Sequence, residues 1–135
     1  MSILITDTGF APADLSTSFT PLGGKVANDT SALDVPSDAV PGDIPLCGAL
    51  ALIRVDFPSS ADGRGFTIAR QLRLRGYTGR LRAKGHVLAD QYAMARRAGF
   101  DEVEISDALA QRQPQDQWQF RANWQDHDYQ ARLRG

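Results

Sequence analysis

The chain has 135 residues, of which 42% are hydrophobic and 23% charged, with a formal net charge of −1. This length is typical of one domain, and this composition excludes a disordered, collagen-like or coiled-coil chain. No apolar run approaches the roughly 20 residues of a membrane span. Residues 1–10 lack the basic region of a signal peptide. The single cysteine, Cys47, excludes a disulfide framework. We therefore expect one cytoplasmic domain over residues 1–135.

Basic residues are concentrated in the middle of the chain. Residues 63–99 contain nine basic residues and one acidic residue, whereas 1–62 contain two basic and eight acidic residues and 100–135 contain four basic and seven acidic residues. Most of the central basic residues are arginines, whose planar guanidinium groups match carboxylate, sulfate and phosphate oxygens. One interpretation is an anionic ligand or partner, and the other is neutralisation by acidic residues of the same chain. An isoelectric point near 6.1 argues against general nucleic-acid binding.

The first segment, residues 1–47, is rich in proline and glycine, which excludes long helices. We expect it to be a loop-rich cover with short strands at Ile3 to Ile5 and Gly24 to Val26.

The central segment, residues 48–113, alternates strands with short helices. Apolar and β-branched runs predict strands at Ala49 to Phe57, Arg80 to Lys84 and Phe100 to Ile105. Helical spacing followed by glycine predicts helices at Phe66 to Arg75 and Leu88 to Ala98.

This β, α, β, α, β order predicts an α/β fold with a small, mainly parallel sheet, because such strands are most economically joined by right-handed crossovers. A half-barrel completed by homodimerisation is the alternative. We expect the helices to pack through four side chains, Ile68, Leu72, Leu88 and Tyr92.

A third short helix and a polar tail are expected after the core. Ser106 has the position of an N-cap, and Pro114 would end the helix. The C-terminal tail, residues 114–135, is expected to dock through its aromatic side chains, although ordering on a partner is the alternative. These aromatic residues are Trp118, Phe120, Trp124 and Tyr129.

Two loops are expected at the carboxyl ends of the parallel strands, where α/β sheets bind ligands. One precedes the first helix, and the other precedes the second helix and includes His86. Glycine backbone, arginine and helix N-termini at this edge suit an anion or an acidic partner, although turn formation and helix capping would also select such residues. The predicted binding residues are Asp62, Gly63, Arg64, Gly65, Arg70, Arg73, Arg82, Gly85, Asp90 and Gln91.

Direct catalytic signals are weak. Asp56, at the end of a strand, and Asp90 are the acid or base candidates, although Asp56 also suits pairing with an arginine. Cys47 is interpreted as a core thiol. His86 and His127 lack metal-ligand spacing, so we expect no metal site. With no flavin fingerprint and too few cysteines for an iron–sulfur cluster, we expect no cofactor.

The stretch 57–105 resembles the core of a bacterial family, domain of unknown function 934. The motifs that carry the resemblance are DGRG at 62–65, ARQLR at 69–73, GYTG at 76–79, LRAKGHVLADQ at 81–91 and GFDEVE at 99–104. Thr67 stands where the family pattern has serine. Members are described as encoded beside sulfite reductase and other genes of sulfate assimilation, and some are labelled probable oxidoreductases. The resemblance implies this metabolic setting without assigning a catalytic residue.

Two functions are compatible with these observations. The first is an accessory protein of assimilatory sulfite or sulfate reduction that binds a small oxyanion, or sulfite reductase or its electron donor, through an arginine-rich face. The second is a small enzyme acting on a sulfated or phosphorylated metabolite, with Asp56 or Asp90 as acid or base and Arg64 and Arg82 holding the anion. Neither function involves nucleic acid or a membrane.

Overall fold

The fold is built around one mixed sheet. The computed structural model describes residues 2–7, 9–12, 19–22, 30–46, 50–59, 62–113 and 118. Their strands are β1 (Ser2–Thr6), β2 (Gly9–Pro12), β3 (Thr20–Pro21), β4 (Ala32–Val35), β5 (Leu52–Phe57), β6 (Arg80–Gly85) and β7 (Glu102–Ser106). The helices are α1 (Arg64–Leu74), α2 (Tyr92–Ala98) and α3 (Asp107–Arg112), with short 3₁₀ helices at Pro41–Asp43 and Ala89–Gln91.

The sheet is parallel over most of its width. Its strand order is β2-β1-β7-β6-β5-β4-β3, and every neighbouring pair from β3 to β7 is parallel. β1 pairs antiparallel with both β7 and β2. Because β5, β6 and β7 are neighbours in chain order, right-handed crossovers place α1 and α2 on the same face. The predicted α/β class with a mainly parallel sheet is confirmed.

One face of the sheet is apolar and carries the helices. In register, Ile53 lies beside Leu81, and Val55 lies beside Ala83 and then Val103. These side chains are fully buried, with 0% exposure, and form a single core with residues of α1 and α2. The helical contributors are Ile68, Ala69, Leu72, Tyr92, Ala95 and Ala98. Removal of this apolar surface from water is the main stabilising contribution to the fold.

The opposite face of the same strands is charged. Side chains alternate across a strand, so Arg54 and Asp56 point away from the helices while Ile53 and Val55 point towards them. In register, Arg54 lies beside Arg82, and Asp56 lies beside Lys84. β5 is therefore a strand with one apolar and one charged face, and its charged positions lie on the face away from α1 and α2.

The prediction that Leu88 packs a helix onto the sheet is wrong. Leu88 has extended backbone and is 38% exposed, because the 3₁₀ helix begins one residue later and α2 begins at Tyr92. Val87, at 0% exposure, occupies the core position instead.

The N-terminal segment supplies strands as well as loops. The predicted strand at Ile3 to Ile5 is the centre of β1, and β2, β3 and β4 were not expected. The predicted strand at Gly24 to Val26, like Cys47, lies outside the described residues. In β4, Leu33 and Val35 join the apolar core while Asp34 faces Arg54, which makes this segment part of the sheet.

After the core, Ser106 caps α3 as predicted, since its Oγ accepts a hydrogen bond from the Leu109 N–H at 3.2 Å. Trp118 is 1% exposed, its ring meets that of Tyr92 edge-on, and its indole N–H donates to the Gln113 carbonyl at 3.0 Å. The other points predicted for the tail lie beyond the described residues, at Pro114, Phe120, Trp124, His127 and Tyr129. Over the described residues, no helix combines the length and apolar character that crossing a membrane requires.

Candidate functional site

A cavity of about 330 Å³ opens at the carboxyl ends of β3 to β6, on the charged face of the sheet. We call it the edge cavity. It is lined by Pro21, Leu22, Asp34, Val35, Pro36, Arg54, Asp56 and Lys84. Its position agrees with the rule that parallel α/β sheets bind ligands beyond the carboxyl ends of their strands.

A second, adjacent cavity of about 180 Å³ lies at the ends of β6 and β7. It is lined by Lys84, Gly85, His86, Glu104, Ile105, Ser106 and Leu109. Lys84 lines both cavities. It is the last side chain of β6 before Gly85, and it is half-buried. Lys84 therefore borders two cavities at the carboxyl edge of the sheet.

Arg54 lines the edge cavity, and carboxylates of the same chain neutralise its charge. Its Nε and Nη2 donate to the two carboxylate oxygens of Asp34 at 2.6 and 2.7 Å, and its Nη1 donates to Glu104 at 3.3 Å. Burial opposes the charged form, but the hydrogen bonds and charges of Asp34 and Glu104 outweigh it and raise the pKa of Arg54. The Phe19 ring lies 3.7 Å from the guanidinium carbon, in a cation–π arrangement.

Arg82, predicted to bind an anion, is part of a buried ion network. Its Nε donates to Glu102 at 2.8 Å and its Nη1 donates to Glu104 at 2.9 Å, while Arg80 also donates to Glu102 at 2.6 Å. Its side chain is 1% exposed. Strand alternation places these charges on one face, and the parallel register brings Arg82 beside Glu102 and Lys84 beside Glu104. The Arg82 guanidinium is therefore buried and paired with the carboxylates of Glu102 and Glu104.

The DGRG turn lies at the predicted edge, but its charges are paired within the turn. Arg64 donates from Nε and Nη2 to Asp62 at 2.9 and 2.8 Å, and from Nη2 to Ser37 Oγ at 3.0 Å. The hydrogen bonds from the Arg64 side chain and backbone hold the pKa of Asp62 well below its usual range. Asp62 thus neutralises the charge of this guanidinium and occupies two of its nitrogen atoms.

The glycines and the glutamine of the predicted site have structural roles. A Cβ at Gly65 would lie 2.4 Å from Cζ of Phe57, so glycine lets α1 approach the end of β5. Gly85 has φ +120°, and the next N–H, of His86, donates to the Phe57 carbonyl at 2.9 Å. Gln91 accepts from the Leu88 N–H at 2.9 Å and so caps the 3₁₀ helix.

Arg73 does not lie at this edge. It is in the last turn of α1, and because α1 runs back across the sheet, its guanidinium reaches the opposite edge. There it donates to the carbonyls of Gly99, Tyr77 and Gly79 at 2.8 to 3.1 Å and to Asp101 at 2.9 Å. The expectation that Arg73 shares an edge with the DGRG turn is therefore corrected. Arg73 ties α1 to the loops that precede β6 and β7.

The remaining predicted residues are on the surface. Gly63, directly before α1, Arg70 on α1 and Asp90 in the 3₁₀ helix are exposed. Asp90 is not among the described residues that line either cavity, whereas Asp56 lines the edge cavity. Across the described part of the chain, no group of three or more His, Cys, Asp and Glu side chains is arranged to hold a metal ion.

Sequence reasoning missed Asp34, Arg54 and Lys84 as site residues. The alternation of apolar and charged residues in β5 was a signal that Arg54 and Asp56 share a face. The sequence pattern places Lys84 at the end of a strand without indicating a cavity there. The position of β4 beside β5 depends on pairings that the sequence pattern does not show.

These observations define an α/β domain with an open, mainly parallel sheet, helices on its apolar face and cavities at the carboxyl edge of its charged face. The chain belongs to the family described as bacterial protein of unknown function (DUF934), whose model matches residues 33–135. This match confirms the resemblance drawn from the motifs. Comparisons with curated proteins and with solved structures find no match.

Proposed function

We propose that this protein is a cytoplasmic accessory protein of assimilatory sulfite or sulfate reduction, and that it binds a small oxyanion at the carboxyl edge of its sheet. The metabolic setting rests on the family resemblance. The binding site rests on one observation, the position and freedom of the Lys84 ammonium group.

Lys84 differs from the arginines around it. Arg54, Arg64 and Arg82 each donate to carboxylates of this chain, which neutralise their charge. Over the residues that the structure describes, the Lys84 side chain takes part in no hydrogen bond or ion pair. Asp56 and Glu104 are the register neighbours of Lys84 on β5 and β7. A half-buried ammonium group that forms no hydrogen bond with these neighbours gains from an incoming anion, since the anion accepts the hydrogen bonds that the ammonium group can donate.

The partner in this proposal is sulfite reductase or its electron donor. Neutralisation of many arginines within the fold weakens the case for a broad arginine-rich docking face. It leaves Arg70, exposed on α1, as a cation of the predicted set that the described residues do not pair. In this proposal the anion therefore binds in the edge cavity, and the macromolecular partner contacts a smaller set of basic residues.

A second function is favoured by a separate observation. Asp56 lies beside Lys84 in register and lines the same cavity. A carboxylate next to a cation can donate a proton to a bound anion or accept a proton from it. A small enzyme acting on a sulfated or phosphorylated metabolite would thus use Asp56 as acid or base, with Lys84 holding the anionic group.

A deletion strain tests the metabolic setting. We expect growth failure on sulfate and on sulfite, with rescue by sulfide or cysteine, and capture of sulfite reductase or its electron donor by the tagged protein. Normal growth on all four sulfur sources would reject the setting. A growth defect without a captured partner, together with loss of complementation by a folded Asp56→Asn protein, would favour the enzyme.

A further inference from the structure

The edge cavity presents two opposite charges side by side. Asp56 and Lys84 are register partners on neighbouring parallel strands, and both point away from the helices. Such partners are roughly 5 Å apart along the hydrogen-bonding direction. In the described part of the chain, neither side chain forms an ion pair or a hydrogen bond. Both charges are thus available to a ligand in the same cavity.

The rest of the lining adds no net charge. Asp34 and Arg54 neutralise each other through two short hydrogen bonds. The other lining residues have apolar side chains, namely Pro21, Leu22, Val35 and Pro36. The cavity therefore offers one cation, one anion and an apolar wall, in a volume near the lower end of the roughly 300 to 1,000 Å³ that ligand pockets occupy.

A simple inorganic dianion uses only one of these two charges. When it is bound at Lys84, it lies close to the Asp56 carboxylate, and like charges at short range repel. A ligand that also carries an ammonium group turns that repulsion into attraction. A short alkyl linker between the two groups would meet the apolar wall.

We propose that the edge cavity binds a small zwitterion, an aminoalkane carboxylate or sulfonate, with its anionic group on Lys84 and its ammonium group on Asp56. This inference rests on the proposed function, because it keeps Lys84 as the anion-binding residue. It adds a second contact that an inorganic oxyanion cannot make.

Calorimetry with matched ligand pairs tests the inference. The pairs are taurine with ethanesulfonate and 2-aminobutyrate with butyrate, where only the first member of each pair has an ammonium group. We expect the amino member of at least one pair to bind about tenfold more tightly, as one additional charged contact implies. The pair that shows the difference identifies the anionic group as sulfonate or carboxylate.

Two substitutions at Asp56, to Asn and to Ser, should abolish the difference within the pair. The deaminated member should bind as well as before or better, because the repelling carboxylate is gone. The control Asp43→Asn should preserve the difference, because Asp43 is an exposed aspartate of the 3₁₀ helix Pro41–Asp43 and does not line the edge cavity.

The outcomes separate the two proposals. Equal binding within both pairs, or a difference that survives both Asp56 substitutions, would overturn the zwitterion. Binding of sulfite without binding of either amino ligand would also overturn it and leave the oxyanion proposal intact. If the wild-type protein binds neither sulfite nor any member of the pairs, both proposals are wrong.

Discussion

The buried Arg82 shows how this chain uses its basic residues. Its guanidinium is sequestered on the charged face and bridges Glu102 and Glu104, which are 3% and 4% exposed. Replacing one member of such a network leaves the other charges buried and unpaired, which is far more costly than losing a surface ion pair.

We predict that Arg82→Met lowers the free energy of unfolding by about 3 to 5 kcal/mol. Two buried glutamates would lose a main partner. Urea denaturation measures the change, and the exposed Arg70→Met, which removes the same charge, should change it by less than about 0.5 kcal/mol. A loss below about 1 kcal/mol in Arg82→Met would show that the network contributes little.

The pair formed by Asp62 and Arg64 predicts a pH dependence. The folded-state pKa of Asp62 is lowered from its usual 3.8, so its contribution to stability is present above that pH and is lost as the pH falls below it. Asp62→Asn should therefore lower the melting temperature more at pH 7 than at pH 3. The effect should be small, because the Arg64 side chain is 59% exposed.

Arg64→Gln, which removes the other partner, should reproduce this pH dependence. An identical shift in melting temperature at both pH values would indicate that Asp62 acts through backbone geometry rather than through its charge.

At the scale of elements, the start of α1 depends on close contact with the end of β5. The ring of Phe57 lies against Gly65 and also contacts the rings of Phe66 and Phe100. The helix can begin so near the strand because position 65 has no side chain. This contact fixes the DGRG turn at the carboxyl edge.

We predict that Gly65→Ala destabilises the protein by about 1 to 3 kcal/mol, the usual cost of forcing an additional carbon into a packed core. The new Cβ would lie 2.4 Å from Cζ of Phe57, so the ring or the helix must shift. Gly63→Ala is the matched control, since its Cβ would meet its nearest neighbour at 4.0 Å. Equal midpoints of urea denaturation for the two variants would contradict the prediction.

The elements of the core could be predicted because their signals are local. The apolar run of β5, the helical spacing in α1 and the glycines after α1 and α2 are all readable within about ten residues. β3 and β4, with two and four residues, are too short to show a period, and Asp34 in β4 obscures the apolar pattern. The partner of each charge depended on strand order, which sequence patterns do not contain.

At the scale of the whole molecule, the sheet separates two tasks. Its apolar face holds the core, and its charged face holds a set of ion pairs. At the carboxyl edge this set ends in Asp56 and Lys84, whose side chains form no ion pair within the described ranges. Most basic residues of the cationic segment, residues 63–99, therefore form contacts within the fold. Lys84, at the carboxyl edge, is the basic residue to which the proposed function assigns an external anion.

The central claim is that Lys84 binds this anion, and titration calorimetry of the protein with sulfite tests it most directly. Lys84→Met should weaken sulfite binding by about tenfold or more, because a charge-assisted hydrogen bond is worth about 1.5 to 3 kcal/mol. The charge-matched control Arg70→Met should stay within about twofold of the wild-type protein, as expected for a distant surface charge. Equal sulfite binding by the wild-type and Lys84→Met proteins, with both folded, would contradict the account.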